Sequence, residues 1–432
     1  MIRADLVVVD AAQLVTLKGP APRTGAQLSD LAILPGGCLA AHRGRVVFVG
    51  TREQFEAEVV LDDACEVMDA SGQAVLPGFV DPHTHLPFAG SREEEFSRRL
   101  AGATYQEIAA GGGGILSTVR ATRAASDEDL LDAMLERLDR MLIEGITTCE
   151  AKSGYGLTVA DELRLLRLIK EAGREHPVTI VPTLLGAHTV PEEHRGDRER
   201  YIRLVIEEMI PVVAKEGLAV YCDAFCEKGV FTVEEARRIL EAGLAHGLQP
   251  RLHADQLTSF GGAELAADLA AASADHLEHV SDAGLARMAA AGVAGIILPG
   301  AALCMREKTI VDARRLIAAG VAPAIATDLN PGTSNTESMS LMIALAVLRH
   351  GMTVEEAIAA ATLNAAVTIG RDGLAGSLEV GKAADMILLD APSCLHLAYR
   401  PGVNLVDTVI KEGRVVVRGG RLDREDPEEP AS

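Results

Sequence analysis

The chain has 432 residues, 48% of them hydrophobic, which allows two or three domains or one large domain with a small companion. A formal charge of −21, 3% aromatic residues and no Trp argue against a nucleic-acid partner or an anionic membrane surface, since both call for a basic face. A small anionic substrate would need arginine or lysine placed locally against that field.

The opening "MIRADLVVVDAAQLVTL" lacks the long apolar core of a signal peptide, and no later run reaches the ~18 apolar residues of a membrane helix. Seven scattered cysteines form no disulfide-like framework. Both features read as a cytoplasmic protein with reduced thiols.

Residues 1 to about 70 read as short strands with turn signals, in "DLVVVDA", "GCLAAHRGRVVFVG" and "CEVMDASGQAVLPG". The middle alternates apolar strands with amphipathic helices, the pattern of repeated β/α units around a parallel sheet. The strands are "VLPGFVDPH", "GITTCEAKS", "VTIVPTLLGAH", "LAVYCDAFCE", "QPRLHAD", "ADHLEHV", "AGIILPG" and "APAIATD", and eight of them favour a closed (β/α)₈ TIM-like barrel. Helices such as "SDEDLLDAMLERLDRMLIEG" and "TVEEARRILEAGLAHG" carry capping residues at their starts and form the outer ring.

Residues from about 374 return to short strands, in "GSLEVGKAADMILLD" and "DTVIKEGRVVVRGGRL". The expected organisation is a composite β-sandwich domain from residues 1–74 and 374–422, a catalytic barrel over 75–373, and a disordered acidic tail at 423–432.

His83 and His85 are two apart on a strand, so both face one side at its C-terminal end, where barrel active sites sit. An isolated H-x-H is more often a hydrogen-bonded core pair than a metal pair. Here the other strand ends add His188, His253, His276 and Asp328. Of these, His83, His85, His253 and Asp328 make a set of three nitrogens and one oxygen suited to Zn²⁺ or Fe²⁺, with room for a water whose pKa the ion lowers.

The pattern P-G-F-V-D-x-H-T-H, with the later His, His and Asp, resembles the amidohydrolase superfamily of metal-dependent barrels. Within it, "DPHTHLPFAGSREEEF", "AGGGGILSTVRATR", "EAKSGYGLT", "LLGAHTVP", "LHADQL", "DHLEH" and "TDLNPGTS" look like the ring-opening hydrolases of histidine degradation, in order and over essentially the whole chain.

The resemblance implies hydrolysis of the cyclic amide C–N bond of 4-imidazolone-5-propanoate to N-formimidoyl-L-glutamate. It implies one divalent or trivalent metal ion, Zn or Fe, on His83, His85, His253 and Asp328. Arg92 would contact the substrate, and a guanidinium suits a propionate through two parallel hydrogen bonds. The plain alternative pairs Arg92 with Glu93, Glu94 or Glu95 on a solvated helix start.

By the same resemblance Tyr155, His188 and Gln256 line the substrate, and Asn330, Gly332 and Thr333 hold the product's glutamate end. A half-buried phenol, a structural histidine and an ordinary Gly-rich turn are the plainer readings. Gln256 stands where some members carry Glu, and an amide is no base, so proton transfer falls to Asp328, His276 or both.

Three features carry less. The run Gly111–Gly114 has the backbone donors for an anion but not a nucleotide loop's ending. Cys222 and Cys226 read as core thiols, and Glu227 either reaches the site mouth or forms a surface ion pair. A homodimer is the expected assembly. A nucleobase aminohydrolase and a non-catalytic barrel are the competing readings, and the complete ligand set weighs against the second.

Overall fold

A computed structural model of the chain describes residues 1–102 and 113–423. Gly111 and Gly112 of the glycine run, and the tail from 424 onward, lie outside the described residues.

Eight parallel strands stand side by side in chain order: Phe79–Asp81, Ile146–Lys152, Thr179–Ala187, Tyr221–Cys226, Gln249–Ala254, Ser273–His276, Ala294–Ile297 and Pro323–Ile325. Strands covered on both faces have no solvent side to mark with polar residues, and all seven residues of Ile146–Lys152 are buried. The ring closes just beyond the strand ends. Asp328 N–H donates to the His83 carbonyl at 3.1 Å, His85 N–H donates to the Leu329 carbonyl at 2.9 Å, and Thr84 bridges Leu329.

The surrounding helices begin where their sequences provide a cap. Ser126 accepts from Asp129 N–H to start Asp127–Ile143, and Thr232 with Glu235 forms a capping box at the start of Val233–Ala245. Leu130, Met134, Leu138 and Met141 of the first of these helices recur at helical spacing and are fully buried in the main core.

Both chain ends contribute to the flanking β structure. One four-stranded sheet comes from the N-terminal segment alone. The seven-stranded sheet joins N-terminal strands to C-terminal ones by pairing Ala74–Pro77 antiparallel with Met386–Leu389. Leu6, Val8 and Leu39 from the first sheet and Val75, Leu388 and Ile410 from the second share one core.

The stretch "VLPGFVDPH" is two strands rather than one. Ala74–Pro77 belongs to the seven-stranded sheet and Phe79–Asp81 opens the barrel, with Gly78 between them. A Cβ at Gly78 would overlap the Thr147 side chain, so a glycine lets the chain pass from one sheet to the other.

No disulfide joins the seven cysteines. Among the described residues, no helix is long and apolar enough to cross a membrane.

Candidate active site

The barrel closure brings three imidazoles together. Ligand atoms of His83, His85 and His253 all lie within 4.8 Å of one another, and all three residues are buried. The Nε2 atoms of His85 and His253 are 3.4 Å apart, and Asp328 Oδ1 is 3.5 Å from Nε2 of both His83 and His85. Two nitrogens about 2.0–2.1 Å from one tetrahedral ion are about 3.4 Å apart, so these spacings fit a shared metal.

Two of the three imidazoles are oriented by buried carboxylates. His83 Nδ1 meets Asp275 Oδ2 at 2.7 Å and His253 Nδ1 meets Asp223 Oδ1 at 3.2 Å, so each carboxylate claims the Nδ1 proton and leaves an Nε2 lone pair facing inward. Buried His83 Nε2 has no hydrogen-bond partner among the described residues. Burial, with help from Lys152, holds the pKa of His83 well below its ordinary value, and burial does the same for His85.

Beneath the ligands lies a charged floor that the sequence reading did not single out. Lys152 Nζ is 2.8 Å from Asp223, 2.9 Å from Glu150 and 3.8 Å from Asp275. Arg251 donates to the carbonyls of Pro82 at 2.7 Å and Thr368 at 3.0 Å, and lies 3.4 Å from Asp275. Three carboxylates against two cations leave one formal negative charge under the ligands, which favours a cation above. Burial raises the Asp223 pKa, but Lys152 and His253 outweigh it and keep the carboxyl well below its ordinary value. The signal was alternation: Glu150 and Lys152, like Arg251 and His253, stand two apart on strands and share a face.

Asp328, three residues past the eighth strand, and His276, the last residue of the sixth, have left-handed backbone, φ 53° and 81°. Non-glycine residues hold that conformation at a cost of about 1–3 kcal/mol, and such strain collects at functional sites. Burial pushes the Asp328 carboxyl up to about 7. The His276 ring centroid is 5.4 Å from that of His253 and 5.8 Å from that of His83. Behind His276, Glu278 Oε2 lies 3.9 Å from Nδ1, and burial raises this carboxyl to about 8.

His188 stacks on His85 with centroids 5.0 Å apart, and Tyr155 lies 5.3 Å from His188 and 5.8 Å from His85. His188 Nδ1 meets the Gly154 carbonyl at 3.0 Å, and burial brings its pKa down to about 3. Gln256 is half-buried in the bend after the His253 strand. The Asn330 amide is engaged inside its own loop: Oδ1 accepts from the N–H of Gly332 and Thr333 at 2.8 Å each, while Nδ2 donates to the Asp328 carbonyl and the Thr333 hydroxyl. Asn330 therefore shapes the loop, and the Thr333 hydroxyl stands 3.5 Å from Asp328 Oδ2.

Arg92 pairs with Glu95 at 2.8 Å, but the pair is not solvated, with side chains only 11% and 13% exposed. Glu227 is buried rather than in a surface ion pair. Its buried carboxylate accepts from the backbone of Leu257 and Thr258 and from the Thr258 hydroxyl, fixing the loop that follows Gln256. Cys222 and Cys226 are buried, and burial raises both thiol pKa values.

Residues 74–416 match the amidohydrolase family. The chain is 51% identical to an imidazolonepropionase of Symbiobacterium thermophilum, covering 97% of this chain and 99% of that one. It is 52% identical to one of Geobacillus kaustophilus over 96% and 99% of the two chains. The chain belongs to the imidazolonepropionases of the amidohydrolase family. That family is metal-dependent, and His83, His85 and His253 make a site able to bind a metal.

Solved structures share the imidazolonepropionase fold at low identity. A zinc-bound adenosine deaminase from Xanthomonas campestris is 18% identical with a TM-score of 0.73, covering 98% of this chain and 95% of that one. N-isopropylammelide isopropylaminohydrolase from Burkholderia multivorans is 21% identical with a TM-score of 0.70, over 96% and 99%.

Proposed function

We propose that this chain hydrolyses the cyclic amide C–N bond of 4-imidazolone-5-propanoate to N-formimidoyl-L-glutamate with one Zn or Fe ion on His83, His85, His253 and Asp328. The observation that carries this reading is the arrangement of three buried imidazoles and Asp328 at the barrel closure, in a chain about half identical to imidazolonepropionases along its length.

Such an ion, when bound, supplies Lewis acidity and lowers the pKa of water. Asp328 takes the proton of the attacking water and returns it to the ring nitrogen as the C–N bond breaks. His276 hydrogen-bonds the carbonyl oxygen as it gains charge.

Arg92 binds the propionate through paired hydrogen bonds. Tyr155 and His188 wall the ring, and Gln256 offers an amide rather than a base. Gly332 and Thr333 border the glutamate end, with Asn330 holding their loop in shape. The enzyme works as a cytoplasmic homodimer in this reading, and sedimentation of the holoenzyme tests the dimer.

The direct test follows the ultraviolet absorbance of 4-imidazolone-5-propanoate with and without a chelator. Chelator-sensitive loss of absorbance is expected. Absence of any loss overturns the assigned substrate, and loss insensitive to thorough metal removal overturns the metal.

A further inference from the structure

Arg92 precedes the helix Glu93–Leu100, whose first turn carries three glutamates. Glu95 turns back to it. Its Oε2 accepts from Arg92 Nε at 3.0 Å and from Nη2 at 2.8 Å. Its other oxygen, Oε1, accepts from the Gly114 N–H at 2.9 Å and the Ser117 hydroxyl at 3.1 Å. Gly114 has φ 79°, a left-handed conformation that glycine adopts without penalty, and it caps the helix Ile115–Ala124. The last glycine of the run thus serves Glu95.

This bracket determines which edge of the guanidinium is free. The side edge, Nε and Nη2, is committed to Glu95, while Nη1 lies so close over Gly332 that a Cβ there would overlap it. Nη1 and the second hydrogen of Nη2 make no hydrogen bond among the described residues, and they form the end-on edge that can take a carboxylate in fork geometry. Arg99 donates to the Gly332 carbonyl at 3.3 and 3.4 Å, and its buried Nε has no partner. Arg92 and Arg99 thus bring two guanidiniums to Gly332, the local cations that a small anion needs on a strongly acidic chain.

We propose that Glu95 is a positioning residue for substrate recognition: it pins Arg92 by the side edge, anchors that pin to Gly114 and Ser117, and so presents the end-on edge to the substrate's carboxylate arm. The inference rests on the reading of Arg92 as the propionate anchor. Glu95 is not itself in contact with substrate and acts through Arg92.

The test compares KM and kcat for 4-imidazolone-5-propanoate in wild type, Glu95→Gln, Arg92→Ala and the double variant. Glu95→Gln is expected to raise KM about ten-fold with kcat nearly unchanged, and to add no further rise to Arg92→Ala. Ser117→Ala, which removes one of the Oε1 contacts, is expected to give a smaller rise of the same kind and keeps the test open if Glu95→Gln fails to fold. An unchanged KM in Arg92→Ala overturns the anchor itself. A KM rise in Arg92→Ala, with Glu95→Gln silent or acting equally in both backgrounds, overturns the role of Glu95 alone.

Discussion

Nδ1 of His83 and Oδ2 of Asp275 stand 2.7 Å apart with both side chains fully sealed from solvent, so a carboxylate of the sixth barrel strand orients an imidazole at the end of the first. Replacing that carboxylate by an amide removes a strong acceptor without changing its shape. Asp275→Asn is expected to weaken metal binding about ten- to a hundred-fold. Competition with a chelator of known affinity measures it directly.

Asp328→Asn separates holding the metal from moving the proton. Three histidines remain, so the purified variant should still contain metal, while turnover falls by at least ~10²-fold because an amide accepts no proton. Metal analysis beside steady-state kinetics checks both halves.

Arg251 is fully buried, and it holds the Pro82 and Thr368 carbonyls as well as facing Asp275. Arg251→Met takes the guanidinium donors from both carbonyls and one of the cations from Asp275 in the floor of the barrel. A loss of about 3–5 kcal/mol is expected, read as a lowered denaturant midpoint of the holoenzyme.

Glu278 gives a pH dependence with a definite sign. Its folded pKa of about 8 lies above the ordinary value of 4.5, so between those values the native state holds a proton that the unfolded chain releases. Stability from this group therefore falls as pH rises through that window, by at most ~1.4 kcal/mol per pH unit. Glu278→Gln should gain on wild type between pH 5.5 and 8 in paired unfolding curves, and parallel curves would contradict it.

Gly332 has ordinary backbone, so alanine meets no conformational penalty there, only the Arg92 guanidinium. Gly332→Ala is expected to raise KM by displacing Arg92 while the melting temperature stays within about 2 °C, since small changes outside the core rarely exceed ~0.5 kcal/mol. Kinetics and a thermal scan of one preparation suffice.

The residues at strand ends were legible because a strand repeats every two residues and a barrel gathers its C-terminal ends. His83 with His85, then His253 and Asp328, follow from those two rules. The charged floor was harder to see, because a lone Lys152 or Arg251 reads as a surface residue until the strand is known to be covered on both sides. The change of sheet at Gly78 was hidden inside one apolar run, since periodicity says nothing about which sheet a strand joins. Which of Glu93, Glu94 and Glu95 meets Arg92 depends on helix phase and on Gly114, nineteen residues from Glu95 in the chain. The saturation of Asn330 by its own loop is invisible without coordinates.

The join between Asp328 and His83 has a consequence for the life of the chain. In a hoop made from one ribbon, the last plank laid completes both the circle and the clasp. A polypeptide still missing its eighth strand has neither the circle nor the carboxylate that faces His83 and His85. One segment thus serves wall and site alike, and a change that disturbs the join is felt in both at once.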